Sequence, residues 1–256
     1  MKNRRVLIPP GRSFFATNWL SGEENATIYY DDVFYKEIEQ SHAGLGRHQR
    51  RFYSWVLDFC RVEIGSKTRC LDVGTGSGDF PAFICERGGT GYGVDISARA
   101  LEIARERYPG ASYVLQAAET LSFESNEMDL ITFFGSLEHF EDMEVSLREA
   151  GRVVREDGKV FILVPNIMSY TNILKVLLRS GQVGTGQILE RMGTEREWKA
   201  LFRSQGFTVE AATGYSFPGS RSGILPRLAR TTCGRVLPRC YQEVFCFALS
   251  CQGKGA

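Results

Sequence analysis

From residue 69 onward, short apolar runs alternate with helical stretches, and this rhythm narrows the possible folds more than any other feature of the chain. The runs fall at 69–73, 91–95, 112–116, 128–134 and 159–164, with helix-forming sequence at 79–87, 98–107 and 142–155. Parallel strands need long crossovers, and crossover helices cover both faces of the sheet, so repeated units of this length predict an α/β fold. The 117–127 connection is poor in helix signal, and its helix is expected to be short or absent. Right-handed crossovers leave a ligand crevice at the carboxyl ends of the strands, where the strand order reverses.

The flanking sequence adds further pieces. Helical patterns precede the first strand: Asp31 and Asp32 open one, and 47–62 places Phe52, Trp55, Val56, Phe59 and Cys60 at helical spacing. Residues 166–193 hold an apolar helix candidate at 173–178 followed by glycines. Thr194 with Glu197 forms a capping box for a helix over 194–205, which leads to strands at 207–212 and 243–250. Between them, 215–242 carries five arginines and no acid. The expected organisation is an N-terminal arm with lid helices over 1–62 and one domain over 63–256, with insertions at 166–193 and 215–242.

Lys and Arg total 31 against 30 for Asp and Glu, so no global field draws the chain to nucleic acid. Seven scattered cysteines without a C-x-x-C pair read as reduced thiols. The apolar run 6–8 stops at Pro9-Pro10, too short for a signal-peptide core, and no stretch approaches the roughly 18 apolar residues of a membrane span. A soluble, cytoplasmic protein is expected.

Chemistry concentrates at Cys70-Leu71-Asp72-Val73-Gly74-Thr75-Gly76-Ser77-Gly78-Asp79. A strand enters a turn with three glycines and then a helix, so backbone amides can press against a polar ligand at the helix start. The dinucleotide fingerprint G-x-G-x-x-G fails in both frames, because its third glycine is Asp79 or Pro81. Asp72 at the strand end would repel a pyrophosphate and suits a cationic group such as an amino-acid ammonium. One unit later, Gly91-Tyr92-Gly93-Val94-Asp95-Ile96-Ser97 ends a strand in an acid that can accept the hydroxyls of a ribose or cap the next helix.

Taken together, these residues resemble the class I S-adenosylmethionine-dependent methyltransferases over roughly residues 69–166, with a more distant similarity to ubiquinone-pathway O-methyltransferases. The first motif matches at 71–79 and the second at 93–97. Ala118-Glu119 is similar to the pair that reads the adenine edge, although the family's usual acid one place earlier is Ala117 here. Phe133-Phe134-Gly135-Ser136-Leu137-Glu138-His139 resembles the fourth-strand motif, and 152–166 the fifth-strand segment. The resemblance implies a Rossmann-like, doubly wound, mostly parallel seven-stranded sheet with an antiparallel last strand. It also implies S-adenosylmethionine as cofactor. Gly74, Thr75, Gly76 and Gly78 would shape the methionine end with Asp72 near the ammonium. Asp95 would hold the ribose, Ile96, Ala118 and Glu119 the adenine, and Phe134 and Gly135 the methyl-transfer side. The ubiquinone-pathway subgroup has a further acid where Gly135 stands, so its metal site is not carried over.

Methyl transfer from a sulfonium is an in-line displacement that depends on positioning. A hydroxyl acceptor needs a base; His139 is the candidate, and Glu138 either orients it, touches the acceptor or begins a helix. His139 can equally be bonded to nearby backbone. Tyr29 and Tyr30 are candidates for a lid, and Arg47, Arg50 and Arg51 for the cofactor carboxylate or for a solvated helix face. The acceptor is expected to be a small molecule or lipid-like, methylated at oxygen, with peripheral membrane contact possible through 166–193 or 215–242. A non-catalytic S-adenosylmethionine-binding partner and a nicotinamide-dependent oxidoreductase are the alternative readings.

Overall fold

A computed structural model describes residues 15–17, 30, 45–177, 190–216 and 238–252. The helix expected after Asp31, Tyr29, and Arg221, Arg227, Arg230 and Arg235 lie outside these residues. The elements run β1 (Phe15–Thr17), α1 (Arg47–Cys60), β2 (Arg69–Val73), α2 (Asp79–Glu86), β3 (Thr90–Asp95), α3 (Ala98–Arg107), β4 (Ser112–Leu115) and β5 (Met128–Phe134). A 3-10 turn (Leu137–His139), α4 (Met143–Val153), β6 (Val154–Pro165), α5 (Tyr170–Leu177), β7 (Glu190–Met192), α6 (Glu195–Ser204), β8 (Phe207–Tyr215) and β9 (Val244–Cys251) complete the described order, with a short turn at Arg239–Tyr241.

Seven strands form one sheet in the order β4-β3-β2-β5-β6-β9-β8. Neighbours from β4 to β6 pair in parallel, while β9 runs antiparallel to both β6 and β8. This is the expected sheet, with the last strand reversed. The 117–127 connection carries no helix, and β6 begins at Val154, five residues before the strand read from the sequence.

Alternation along the strands sorts the core into two layers. Leu71, Ile131, Phe133, Val160, Ile162, Phe245 and Phe247 face α4 and α6, where Leu147, Trp198 and Phe202 meet them. Cys70, Leu130, Phe161, Cys246 and Ala248 face α1 and α2 with Val56, Leu57, Phe80 and Phe83. The period of two along each strand puts successive residues on opposite faces, and both faces are covered by helices. Helix starts are set by side-chain caps: Ser97 accepts from the Ala100 amide, Asp142 from those of Glu144 and Val145, and Thr194 makes its capping box with Glu197.

Outside the main sheet, β1 pairs antiparallel with β7, Ala16 opposite Arg191. Strand β7 lies beside the Leu137–His139 turn, and Arg191 donates to the carbonyls of Phe140 and Glu141.

Candidate functional site

Strand order reverses between β2 and β5, and the crevice at their carboxyl ends is walled by residues 74–78 on one side and 135–139 on the other. Gly74, Gly76 and Gly78 all have positive φ, at 73, 54 and 78°. A side chain on Gly74 would also bring its Cβ 2.5 Å from that of Ser136, so glycine is required there twice over. Ser136 donates its hydroxyl to the Val73 carbonyl at 2.6 Å and ties the ends of the two strands together.

The glycine loop and the acid of β3 meet directly. Asp95 accepts the Gly76 amide on Oδ2 at 2.9 Å and the Ser97 amide on Oδ1 at 3.0 Å. The α3 cap is Ser97, not Asp95. Asp95 thus ties the glycine loop to the start of α3.

Asp72 is buried beneath the loop and accepts the Thr132 hydroxyl at 2.7 Å. Burial raises its pKa to about 7; the Thr132 and Thr75 hydroxyls oppose the rise, and the carboxylates of Asp95 and Asp79 add to it. It forms no ion pair among the described residues. An acid facing other acids without a cation is a place for a positively charged ligand group.

Three neighbours escaped the sequence reading. Asp79, buried in the first turn of α2, accepts the Tyr108 hydroxyl at 2.7 Å, and the Tyr108 oxygen accepts the Leu45 amide at 2.8 Å. From α1, Tyr53 sets its ring 5.2 Å from both Phe80 and Phe134. Burial, with Asp79 and Asp72 nearby, pushes its phenol well above the ordinary value. In the sequence Asp79 closes the glycine motif and breaks the dinucleotide fingerprint, but no partner is assigned to it there. Tyr53 and Tyr108 carried no signal beyond helix-face spacing.

The opposite wall follows β5. Gly135 has φ of 68°, and the Leu137–His139 turn comes next. Glu138 is buried, and its Oε2 has no hydrogen-bond partner. Desolvation raises its pKa to about 8, with a further push from the Glu190 carboxylate of β7. His139 Nε2 lies 3.9 Å from Glu138 Oε1.

Ile96 is half-buried at the tip of β3. Ala118 packs into the core, and Glu119 accepts the Asp142 amide at 3.2 Å. Just past β4, Gln116 has a buried Nε2 without a partner. Several candidates are placed elsewhere. Arg50 pairs with Glu86 at 2.7 Å, and Arg47, His48 and Arg51 are exposed on α1. Tyr30 packs against Ala100 and Ile103 of α3. Among the described residues no group of three or more His, Cys, Asp or Glu side chains could hold a metal ion.

The residues fit S-adenosylmethionine. The Gly74 and Gly78 positions have no room for side chains, Asp72 is a buried acid without a counter-ion, and Gln116 just past β4 has a buried amide nitrogen without a partner.

Comparison with known proteins agrees. Residues 71–162 match the methyltransferase domain family. The chain is similar to 2-phytyl-1,4-naphtoquinone methyltransferase of Trichormus variabilis, at 34% identity over 141 residues, covering 50% of this chain and 60% of that protein. It is also similar to demethylmenaquinone methyltransferase of Chlorobaculum tepidum, at 32% over 110 residues, covering 42% and 45%. The chain thus spans about half the length of the curated relatives it matches. Among solved structures, magnesium protoporphyrin IX methyltransferase of Synechocystis with bound SAH superposes with a TM-score of 0.63 at 14% identity, over 90% of this chain and 99% of that one. The motif-bearing strands and the crevice agree with these likenesses: residues 71–162 match a methyltransferase domain, and the fold is that of S-adenosylmethionine-dependent methyltransferases.

Proposed function

We propose that this protein transfers the methyl group of S-adenosylmethionine to an oxygen of a small, aromatic or lipid-like acceptor. The observation that carries the reading is the junction of the Gly76 amide with the Asp95 carboxylate over a buried, counter-ion-free Asp72. In this reading the loop amides and Asp72 hold the amino-acid end, and Asp95 accepts the ribose hydroxyls. Ile96, Ala118, Glu119 and Gln116 surround the adenine. Thr75, Phe134 and Gly135 complete the methionine side, with Glu138 and His139 facing the acceptor. The bound cofactor supplies an activated methyl on sulfur; the chain's own residues supply orientation and a site for the acceptor's proton.

An aromatic acceptor is supported by the relatives, whose names specify quinones. It is also supported by the rings of Phe52, Phe134 and Tyr215, with Phe52 lying 5.9 and 5.0 Å from the other two. Peripheral contact with a membrane is supported by the exposed Met168, Val176 and Leu177 at and beside α5; none of the described helices is long and apolar enough to cross one. A cytoplasmic setting agrees with the free thiols of the described cysteines.

Calorimetric titration with S-adenosylhomocysteine tests the cofactor reading, and absence of binding refutes it. Binding without methylation of any acceptor in a panel of phenols, quinols, carboxylates and amines would favour a non-catalytic partner protein instead.

A further inference from the structure

We propose that Glu138, rather than His139, removes the proton of the acceptor, and that the acceptor class is therefore a weakly acidic hydroxyl of the phenol or enol type. The inference rests on the methyl-transfer reading and adds to it the identity of the base and the chemistry of the substrate.

The geometry points to Glu138 first. The Leu137–His139 turn follows Gly135 and Ser136 at the carboxyl end of β5. A Cβ on Gly135 would stand 3.6 Å from Glu138 Oε1 and 3.7 Å from Leu163, so the carboxyl group lies over bare backbone at the end of β5. Oε2 is buried with no partner. A buried acceptor atom left unsatisfied costs on the order of 1–3 kcal/mol, and a hydroxyl proton arriving in the crevice would relieve that cost. Around it stand His139 on its own turn, Glu190 on β7 and the apolar Leu163 on β6. Neither Glu190 nor the apolar wall lowers the proton affinity of the carboxylate. Its pKa is raised to about 8 by burial, with its own backbone hydrogen bond opposing the rise and Glu190 adding a smaller push, and lies closer to that of a phenol than an ordinary carboxylate's does. A base matched in this way works near neutral pH.

The step balances without a co-reactant beyond the cofactor. The acceptor O–H bond breaks, and its proton moves to Glu138 Oε2. The oxygen's electron pair forms the bond to the methyl carbon, and the C–S bond breaks with its pair remaining on sulfur. The products are a methyl ether and a neutral thioether. The proton then passes from Glu138 to solvent, which restores the carboxylate. Only the ionised carboxylate starts the cycle, so turnover rises with pH toward a plateau above about 8.

The test uses the full chain, with Glu138→Gln and His139→Asn. Both variants should bind S-adenosylhomocysteine as the parent does, which separates this proposal from the cofactor reading. In the parent, an infrared pH titration should show a carboxylic-acid carbonyl band that disappears with a midpoint near 8 and is missing from Glu138→Gln. With S-adenosylmethionine and anaerobic 1,4-dihydroxynaphthalene, Glu138→Gln should lose turnover by about a hundredfold or more, the usual contribution of a positioned base. His139→Asn should lose only a few-fold and keep the parent's pH limb. The proposal fails if Glu138 titrates with ordinary carboxylates, if Glu138→Gln turns over at the parent rate, or if the pH limb disappears with His139→Asn. A parent that binds S-adenosylhomocysteine but leaves the diol unmethylated would overturn the assignment of the acceptor class.

Discussion

Replacing Asp72 by Asn should change how the stability of the ligand-free protein depends on pH. Asp72 ionises near 7 in the folded chain against an ordinary value of 3.8. Between those limits the folded state holds a proton that the unfolded state has released, so stability falls as pH rises. Taking about three pH units at about 1.4 kcal/mol each, the loss between pH 4 and pH 8 is about 4 kcal/mol. Relaxation around the ionised acid makes this an upper figure. Asn cannot ionise and can still accept the Thr132 hydroxyl that Asp72 now accepts. Urea denaturation at pH 5, 6, 7 and 8 should therefore give the parent a declining stability and the Asp72→Asn protein a flatter one, with the gap opening between pH 5 and 7 and levelling off by pH 8. S-adenosylhomocysteine, which brings an ammonium to the acid, should stabilise the parent more at pH 8 than at pH 6. Parallel pH curves for parent and variant would show that Asp72 is not the buried, proton-holding acid described above.

Three further outcomes are expected. Asp95→Ala removes the acceptor of both the Gly76 and Ser97 amides and should weaken S-adenosylhomocysteine binding by about 1–3 kcal/mol in calorimetry; an unchanged dissociation constant would remove Asp95 from the site. Gly91→Ala would put a Cβ 2.1 Å from the Pro81 carbonyl oxygen, forcing α2 away from β3, so the melting temperature should drop sharply or soluble protein should be lost. Trp198→Ala empties a fully buried site and deletes the indole hydrogen bond to the Pro165 carbonyl; chemical denaturation should show a loss of about 3–5 kcal/mol, and a loss below about 1 kcal/mol would contradict the packing described.

The central sheet was legible because each strand's composition matches its burial. Cys70 to Val73 and Met128 to Phe134 are enclosed on two faces and read as short apolar runs. Capping was legible for the same local reason: Thr194 and Glu197 need only three residues of sequence to satisfy the first turn of α6. The glycine loop and Asp95 were readable because their spacing encodes the contact that the fold then makes. Tyr53, Tyr108 and Asp79 were not, since their meeting depends on how α1 and the end of α3 pack over the loop, and no periodicity records that. Glu138 was visible as a letter in a motif, but its unusual state arises from burial beside Glu190, a residue brought in by a strand far along the chain. The early start of β6 was missed because Arg155, Glu156 and Asp157 are exposed and polar, within the register shift between β5 and β6.

The pairing of β1 with β7 joins the N-terminal arm to the segment inserted after β6. Because each strand supplies the other's hydrogen bonds, replacing one alone would strand a bare sheet edge beside the Leu137–His139 turn. Evolution or engineering that retunes acceptor choice must therefore treat the two segments as a co-inherited cassette, and a chimaera that exchanges only one should mispair even with its catalytic centre intact.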